Sequence, residues 1–367
     1  MIEKSSALPL SVRLSQIIVG IVGAFFILYI GQEIILPLLF ALIIAILLNP
    51  FVNFLERKKC NRVLAIFIAV FIALLSILAL MYFIGSQAAM FTDALPQLKQ
   101  KINGIFKDSI AWVSQNFNVS TTKINEWIAK QKTEGMSNST QVIGQTLTTI
   151  SSMLVLVFLL PVYVFLFLFY KPLLLDFVAR LFPANKHSTV QEVLTETKSL
   201  IQNYLLGLLI EAGLVAALNS TGLFILGIDY ALLLGVIGAL LNIIPYVGGV
   251  VAIALPMIIA LATKEPVYAL YVFGVYILVQ FIDNNFIVPK IVASKVKINA
   301  LVSIIVVLIG GALWGVAGMF LSLPLTAIVK VIFDRIEALK PFGFLLGDSM
   351  PATEKKLFRL PRKKVKS

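Results

Sequence analysis

The chain has 367 residues, 59% of them hydrophobic and only 13% charged, with a mean hydropathy of +0.98. Soluble domains carry about 25% charged residues, so water-facing domains, a disordered chain and a nucleic-acid partner are all poor fits; an all-α polytopic membrane protein remains. The net charge of +12 then bears on orientation across the bilayer.

One cysteine, Cys60, and one histidine, His187, leave no intrachain disulfide and too few ligands for a zinc site. Cys60, among Lys58, Lys59 and Arg62, reads as an incidental loop cysteine. No metal or cofactor is expected.

Apolar runs mark eight hydrophobic blocks: 14–32, 34–55, 63–92, 135–170, 199–228, 230–263, 266–282 and 298–329. A crossing needs about 20 apolar residues, and several blocks exceed that. The first is too long for a signal-peptide core and lacks a small-residue cleavage site. It reads as a retained span, paired with the second across a turn at Gly31.

Basic residues cluster in alternate connections. Arg57, Lys58, Lys59 and Arg62 follow the second block, and Lys171, Arg180 and Lys186 the fourth. Lys290, Lys295 and Lys297 follow the seventh. From Glu354 onward the tail holds seven basic residues against one acid. The positive-inside rule places these connections and both termini in the cytoplasm. The tail, beside a membrane, is expected to touch anionic lipid headgroups.

The organisation expected is three spans over 1–91, an extracytoplasmic amphipathic insertion over 92–148, a transport core over 149–337 and a basic tail over 338–367. In the insertion, Leu95, Leu98, Ile102, Ile105, Phe106, Ile110, Val113 and Phe117 recur at helical steps. A second helix is expected around Ile124, Trp127 and Ile128. This insertion is either a cap over the membrane part or a hairpin resting on the bilayer or a neighbouring subunit. On the other side, Thr189 and Glu192 have capping-box spacing, which predicts a long helix running from there into the fifth span.

Two blocks are broken. Asn242, Pro245, Tyr246, Gly248 and Gly249 interrupt 230–263; Gly310, Gly311, Gly315 and Gly318 interrupt 298–329. Each block is either two crossings with a tight turn or a re-entrant hairpin. Paired Gly/Pro-interrupted segments point to a transporter's binding site. The alternative is close helix packing, since Gly311 and Gly315 form a GxxxG pair.

At the inner end of the seventh block stand Gln280, Asp283, Asn284 and Asn285, fit to bind a cation, a proton or a polyhydroxylated solute, or to cap a helix end. Glu211 is the one acid well inside an apolar run. An ionised acid there costs a few kcal/mol, so such groups face a cavity or a partner. It is the candidate coupling group, with Asn219 two turns on. Lys330 is expected to snorkel.

No GxxxxGK[ST], HExxH or GxSxG motif occurs, so no enzyme is expected. Asn242, Pro245, Tyr246 and Gly248, then Asp283 to Pro289, then Gly310, Gly311, Trp314, Gly315, Gly318 and Leu323-Pro324 resemble the autoinducer-2 exporter family, the PerM-like permeases. Pro37 and Asn49-Pro50 also look like its second span. The resemblance implies a bacterial inner-membrane secondary transporter, with members linked to autoinducer-2 export or to sodium- or lithium-proton antiport. Gly249, Asn284 and Asn299 depart from the family pattern. The expected function is export of a small polar solute, ion- or proton-coupled, with the two hairpin tips meeting near the midplane. The rivals are a monovalent cation–proton antiporter and a non-transporting scaffold. A homo-oligomer is expected from the small-residue faces.

Overall fold

The computed structural model describes residues 10–117, 120, 158–245, 248–291 and 298–348. These residues are helical apart from short connections, with no strand and one isolated bridge, Ile298 to Gly347. In chain order the helices are α1 (Leu10–Ile30), α2 (Gln32–Arg57) and α3 (Arg62–Phe117). Next come α4 (Phe158–Phe169) and α5 (Lys171–Arg180), bent by 61° at Tyr170. There follow α6 (His187–Ile225), α7 (Ala231–Asn242), α8 (Gly248–Thr263) and α9 (Val267–Ile282). After a π turn at Asp283–Ile287 come α10 (Val288–Ile291), α11 (Ala300–Arg335) and α12 (Lys340–Leu346).

Among the described residues, five helices are long and apolar enough to cross a membrane, and six if α4 and α5 form one bent span. The chain is a multi-pass membrane protein. The described residues of all eight blocks are helical apart from short breaks, the fourth being described only from Phe158, and the sixth becomes two helices. The face of α1 fits that setting: Ile18, Val19, Phe26 and Ile27 are all more than half exposed, as lipid-facing residues are.

Three expectations change. First, α3 runs unbroken for 56 residues, about 84 Å at about 1.5 Å per residue, against a hydrocarbon core of about 30 Å. The third span and the first amphipathic stretch are thus one rod across the 91/92 boundary. The second amphipathic stretch, and the basic tail beyond residue 348, lie outside the described residues. Second, the capping box does not form. Extended Pro183 (φ −66°, ψ 153°) and a 3₁₀ turn at Ala184–Lys186 start α6 at His187, with no side-chain cap. His187 therefore opens the helix. Third, Lys330 pairs with Asp334 at 2.5 Å, so its ammonium has a partner in the protein.

The broken sixth block is a hairpin of two short helices that pack on each other. α7 has 12 residues and α8 has 16, about 18 and 24 Å. At Gly248 the chain folds over the end of α7 so tightly that a side chain would overlap the Leu241 carbonyl. α7 lies along α6, where Gly235 meets the backbone of Ser220, and α9 meets α6 where Val275 fills the space beside Gly222. Small residues let these helices approach closely.

α11 is also a hairpin. Its helical path breaks at Trp314 (φ −136°, ψ 18°) and Gly315 (φ 60°, ψ −140°). The second conformation is open to glycine and strained for other residues. The arms fold back on each other: a side chain on Gly310 would overlap the Gly318 carbonyl, and one on Gly311 would press on Met319. Gly315 has nothing within 4 Å, so the Gly311/Gly315 pair is no packing motif; Gly315 turns the chain, and Gly310 with Gly318 packs it. Trp314 Nε1 at the tip donates to the Leu28 carbonyl of α1 at 3.0 Å.

Two buried clusters join these parts. Ala41, Ala45, Ala65, Ile66 and Val164 tie α2 to α3 and α4. Ile43, Ile201, Tyr204 and Leu321 tie α2 to α6 and α11.

Candidate functional site

A cavity of about 860 Å³ opens between α6, the α7–α8 hairpin, α9 and the arms of α11. Tyr204 and Glu211 enter from α6, Asn242 and Pro245 from the end of α7, and Gly249 from the start of α8. Tyr276 and Gln280 come from α9, Asp283 and Asn284 from the π turn, and Ser303 and Leu323 from α11.

The π turn explains how the polar run after α9 faces inward. Wider turns of this kind are rare and recur at functional sites. Here Asp283 and Ile287 point into the protein and are buried, while Asn284, Asn285 and Phe286 are exposed. Asp283 is 1% exposed. It is therefore a buried acid, while Asn285 caps a carbonyl of the last turn of α9. Its Oδ2 accepts a hydrogen bond from Asn242 Nδ2 at 2.9 Å. Its Oδ1 is buried with no hydrogen-bond partner. A buried polar atom left unpaired costs about 1–3 kcal/mol.

Around it the other polar groups converge. Gln280 Oε1 and Asn242 Oδ1 lie 3.4 and 3.7 Å from the point where a side-chain carbon on Gly249 would sit. The absence of a side chain at Gly249 leaves that space to the amides. Glu211, 7% exposed, puts a second carboxyl on the wall. Asn219 is 2% exposed on the same helix but does not line the cavity.

Of the residues picked out in the sequence, Glu211, Asn242, Pro245, Gly249, Gln280, Asp283 and Asn284 thus share one cavity. Gly248 shapes the turn beside it, and Tyr246 lies outside the described residues. Asn285 turns away, its Nδ2 donating to the Phe281 carbonyl at 2.8 Å. Gly310, Gly311, Gly315 and Gly318 do not line it; α11 contributes residues from along its arms instead. Ile243 at the first break and Trp314 at the α11 tip pack against the same buried cluster; Tyr246 and Val247 of the first tip lie outside the described residues.

Sequence reasoning missed Tyr204, Tyr276 and Ser303. Tyr276 was within reach: Tyr276, Gln280 and Asp283 are spaced by four and three, one face of a helix. Asn299, which departs from the family pattern, has a structural part. It caps α11 through Val302 N and donates to the carbonyls of Leu345 and Gly347, tying α12 back to the hairpin's base.

A second groove, about 760 Å³, lies between the start of α6 and the end of α11. Arg335 crosses it, reaching Glu192 at 2.6 Å and Glu196 at 2.9 Å. The groove and the cavity adjoin along α6, where Asn203 lines one and Tyr204 the other. No group of three or more metal-ligating side chains is found among the described residues.

Residues 16–338 match the family described as AI-2E family transporter. The chain is 27% identical over 351 residues to the AI-2 transport protein TqsA of Escherichia coli (strain K12), covering 94% of this chain and 96% of that one. It is 28% identical over 309 residues to YueF of Bacillus subtilis (strain 168), named as a candidate transport protein, covering 82% and 83%. It is 28% identical over 340 residues to PerM of E. coli (strain K12), named as a candidate permease, covering 86% and 91%.

Proposed function

Because the chain belongs to the AI-2E transporter family, we propose that it is a secondary transporter whose solute passes through the cavity around Asp283. The observation that carries this reading is the unpaired, fully buried Asp283 Oδ1, on a wall shared with Glu211, Asn242 and Gln280. A carboxylate oxygen held without a partner inside a membrane protein suits a transient one: a cation, a proton or a hydroxyl of the solute.

In this reading the solute is small and polar, and AI-2 is the first to test because TqsA carries it in its name. The protein sits in a bacterial inner membrane with both termini cytoplasmic. The α7–α8 hairpin re-enters from outside and the α11 hairpin from inside. Non-helical backbone at that depth is tolerated where it is buried in protein or lines a wet cavity, which the break after Asn242 does. Glu211 couples flux to a proton or an ion. The tail rests on anionic lipid, and the protein assembles with copies of itself. No chemical conversion of the solute is involved.

The test is thiol blocking of the path. Gln280→Cys, with Cys60→Ser, should lose flux when a charged methanethiosulfonate reagent is added, and Asn285→Cys, which faces away, should not. Equal sensitivity at both positions would sink the assignment of the cavity.

A second reading, cation–proton antiport, is favoured by the two carboxyl groups on one wall. An imposed pH gradient that collapses on adding sodium or lithium, with no solute present, would favour it.

A further inference from the structure

The cavity has two kinds of wall, and the transport reading uses only the polar one. On α9 the lining residues are sorted across the helix. Tyr276, Gln280 and Asp283 lie along one edge of its lining face, and Phe273 and Ile277, one turn apart, along the other. The first edge is turned inward, with Tyr276 5% and Asp283 1% exposed. The second is turned outward, with Phe273 44% and Ile277 52% exposed. Both lie in the middle of a helix apolar enough to cross a membrane, and the exposed strip continues through Leu270 and Phe281. At that depth an exposed side chain meets acyl chains.

The first arm of α11 also lines the cavity, through Ser303. Among the described residues, α9 and α11 nevertheless make little or no contact with each other; each packs on α6 instead. Next to Ser303, Ile304 is exposed as well. Behind α9, Ile253 of α8 carries the apolar wall inward and packs on the buried cluster around Ala252 and Ile259. The volume, about 860 Å³, is far more than an ion and its first waters need, at about 30 Å³ per water. Mostly apolar cavities of about 300–1,000 Å³ with a few placed polar groups take organic ligands.

We propose that the cavity opens sideways to the bilayer between α9 and α11 and takes a single-chain amphiphile from it. An uncharged, hydroxylated head sits at Asp283, Asn242 and Gln280, and the apolar chain lies over Ile277 and Phe273. The polar end selects the head. Asp283 Oδ1 is an acceptor without a partner, and the amides of Asn242 and Gln280 both donate and accept. An anionic head would face two acids, Asp283 and Glu211, on one wall. The chain passes from one apolar surround to another, so the head supplies the selectivity. This ligand is a second class beside the small polar solute of the transport reading. It occupies the same polar end and competes there, but its binding requires no flux.

The test is photolabelling of the full chain in nanodiscs of phosphatidylcholine and phosphatidylglycerol. The probe is a trace of monoacylglycerol with a diazirine midway along its chain, and labelled residues are mapped by mass spectrometry. In the unaltered chain Ile253, inside the cavity, should be labelled along with Leu278, which is exposed on the outer face of α9. Ile277→Trp, which narrows the opening, should cut the Ile253 label several-fold and leave Leu278 unchanged. Ser303→Trp, on the other side of the gap, should do the same if the first variant does not assemble. Gln280→Leu, which removes one partner of the head, should also lower the Ile253 label. Ile253 unlabelled in the unaltered chain, as when a neighbouring copy covers the gap, would overturn the proposal, and so would equal labelling of Ile253 in all of these chains. No gradient is applied, so failure of this site and failure of the transport reading are read separately.

Discussion

Asp283 concentrates the chemistry because one of its oxygens is satisfied and the other is not. Asn242 donates to Oδ2, which holds the carboxyl group in place, while Oδ1 is buried without a partner. Asp283→Asn keeps the size and an acceptor for Asn242, so the protein should assemble normally and lose flux. Asp283→Leu also strands the Asn242 amide, and should lower stability by about 1–3 kcal/mol, read as a drop in the thermal unfolding temperature in detergent. The glycines of α11 make a different kind of prediction. Gly318 touches the Gly310 carbonyl and the Trp314 side chain. Gly318→Val should destabilise by about 1–3 kcal/mol through overpacking. Gly315→Ala has room for its methyl and is disfavoured only by its positive φ, so it should cost less than the valine on the same unfolding assay.

At the scale of elements, one arginine ties α6 to α11. Arg335 bridges Glu192 and Glu196, one turn apart on α6. All three side chains are about half exposed, and exposed pairs of this kind contribute about 0–1 kcal/mol. Arg335→Ala should therefore leave the unfolding temperature nearly unchanged. A short bismaleimide joining Glu196→Cys to Arg335→Cys, with Cys60→Ser, should instead stop flux, and reagent that leaves flux intact would mean the two helices do not separate in the cycle.

The same helices show what could be read beforehand. Apolar runs, charge-free but for Glu211, marked the eight blocks because the bilayer filters charge so strictly. Both interruptions were visible as Gly and Pro. What local sequence did not disclose was which glycine turns and which packs in α11, since that depends on the fold-back of the arms. Nor did it disclose that Thr189 lies inside α6. Pro183 fixes the helix start earlier, and Glu192 is spent on an arginine 143 positions away.

Across the whole molecule, the cavity forms from segments far apart in the chain: α6, the α7–α8 hairpin, the π turn and both arms of α11. Its acids were legible one by one, as charges in apolar surroundings. Their meeting was not, because no spacing rule links Glu211 and Asn242 to Asp283. Orientation is testable at this scale. Single cysteines placed in the Lys264-Glu265 turn should react with an impermeant reagent added outside intact cells, and Cys60, in the unaltered chain, should react only after the membrane is opened.

The central claim, that the cavity around Asp283 carries solute or ion, is met most directly by flux in proteoliposomes. The purified protein would be reconstituted with an imposed pH gradient and a fluorescent proton reporter. Sodium, lithium, potassium and then AI-2 and other small polar solutes would be added in turn, with direct solute uptake followed in parallel. The account predicts flux for at least one of them in the unaltered chain and none in Asp283→Asn. Flux undiminished in Asp283→Asn, or no passage of any species by either readout, would contradict it and leave the scaffold reading in its place.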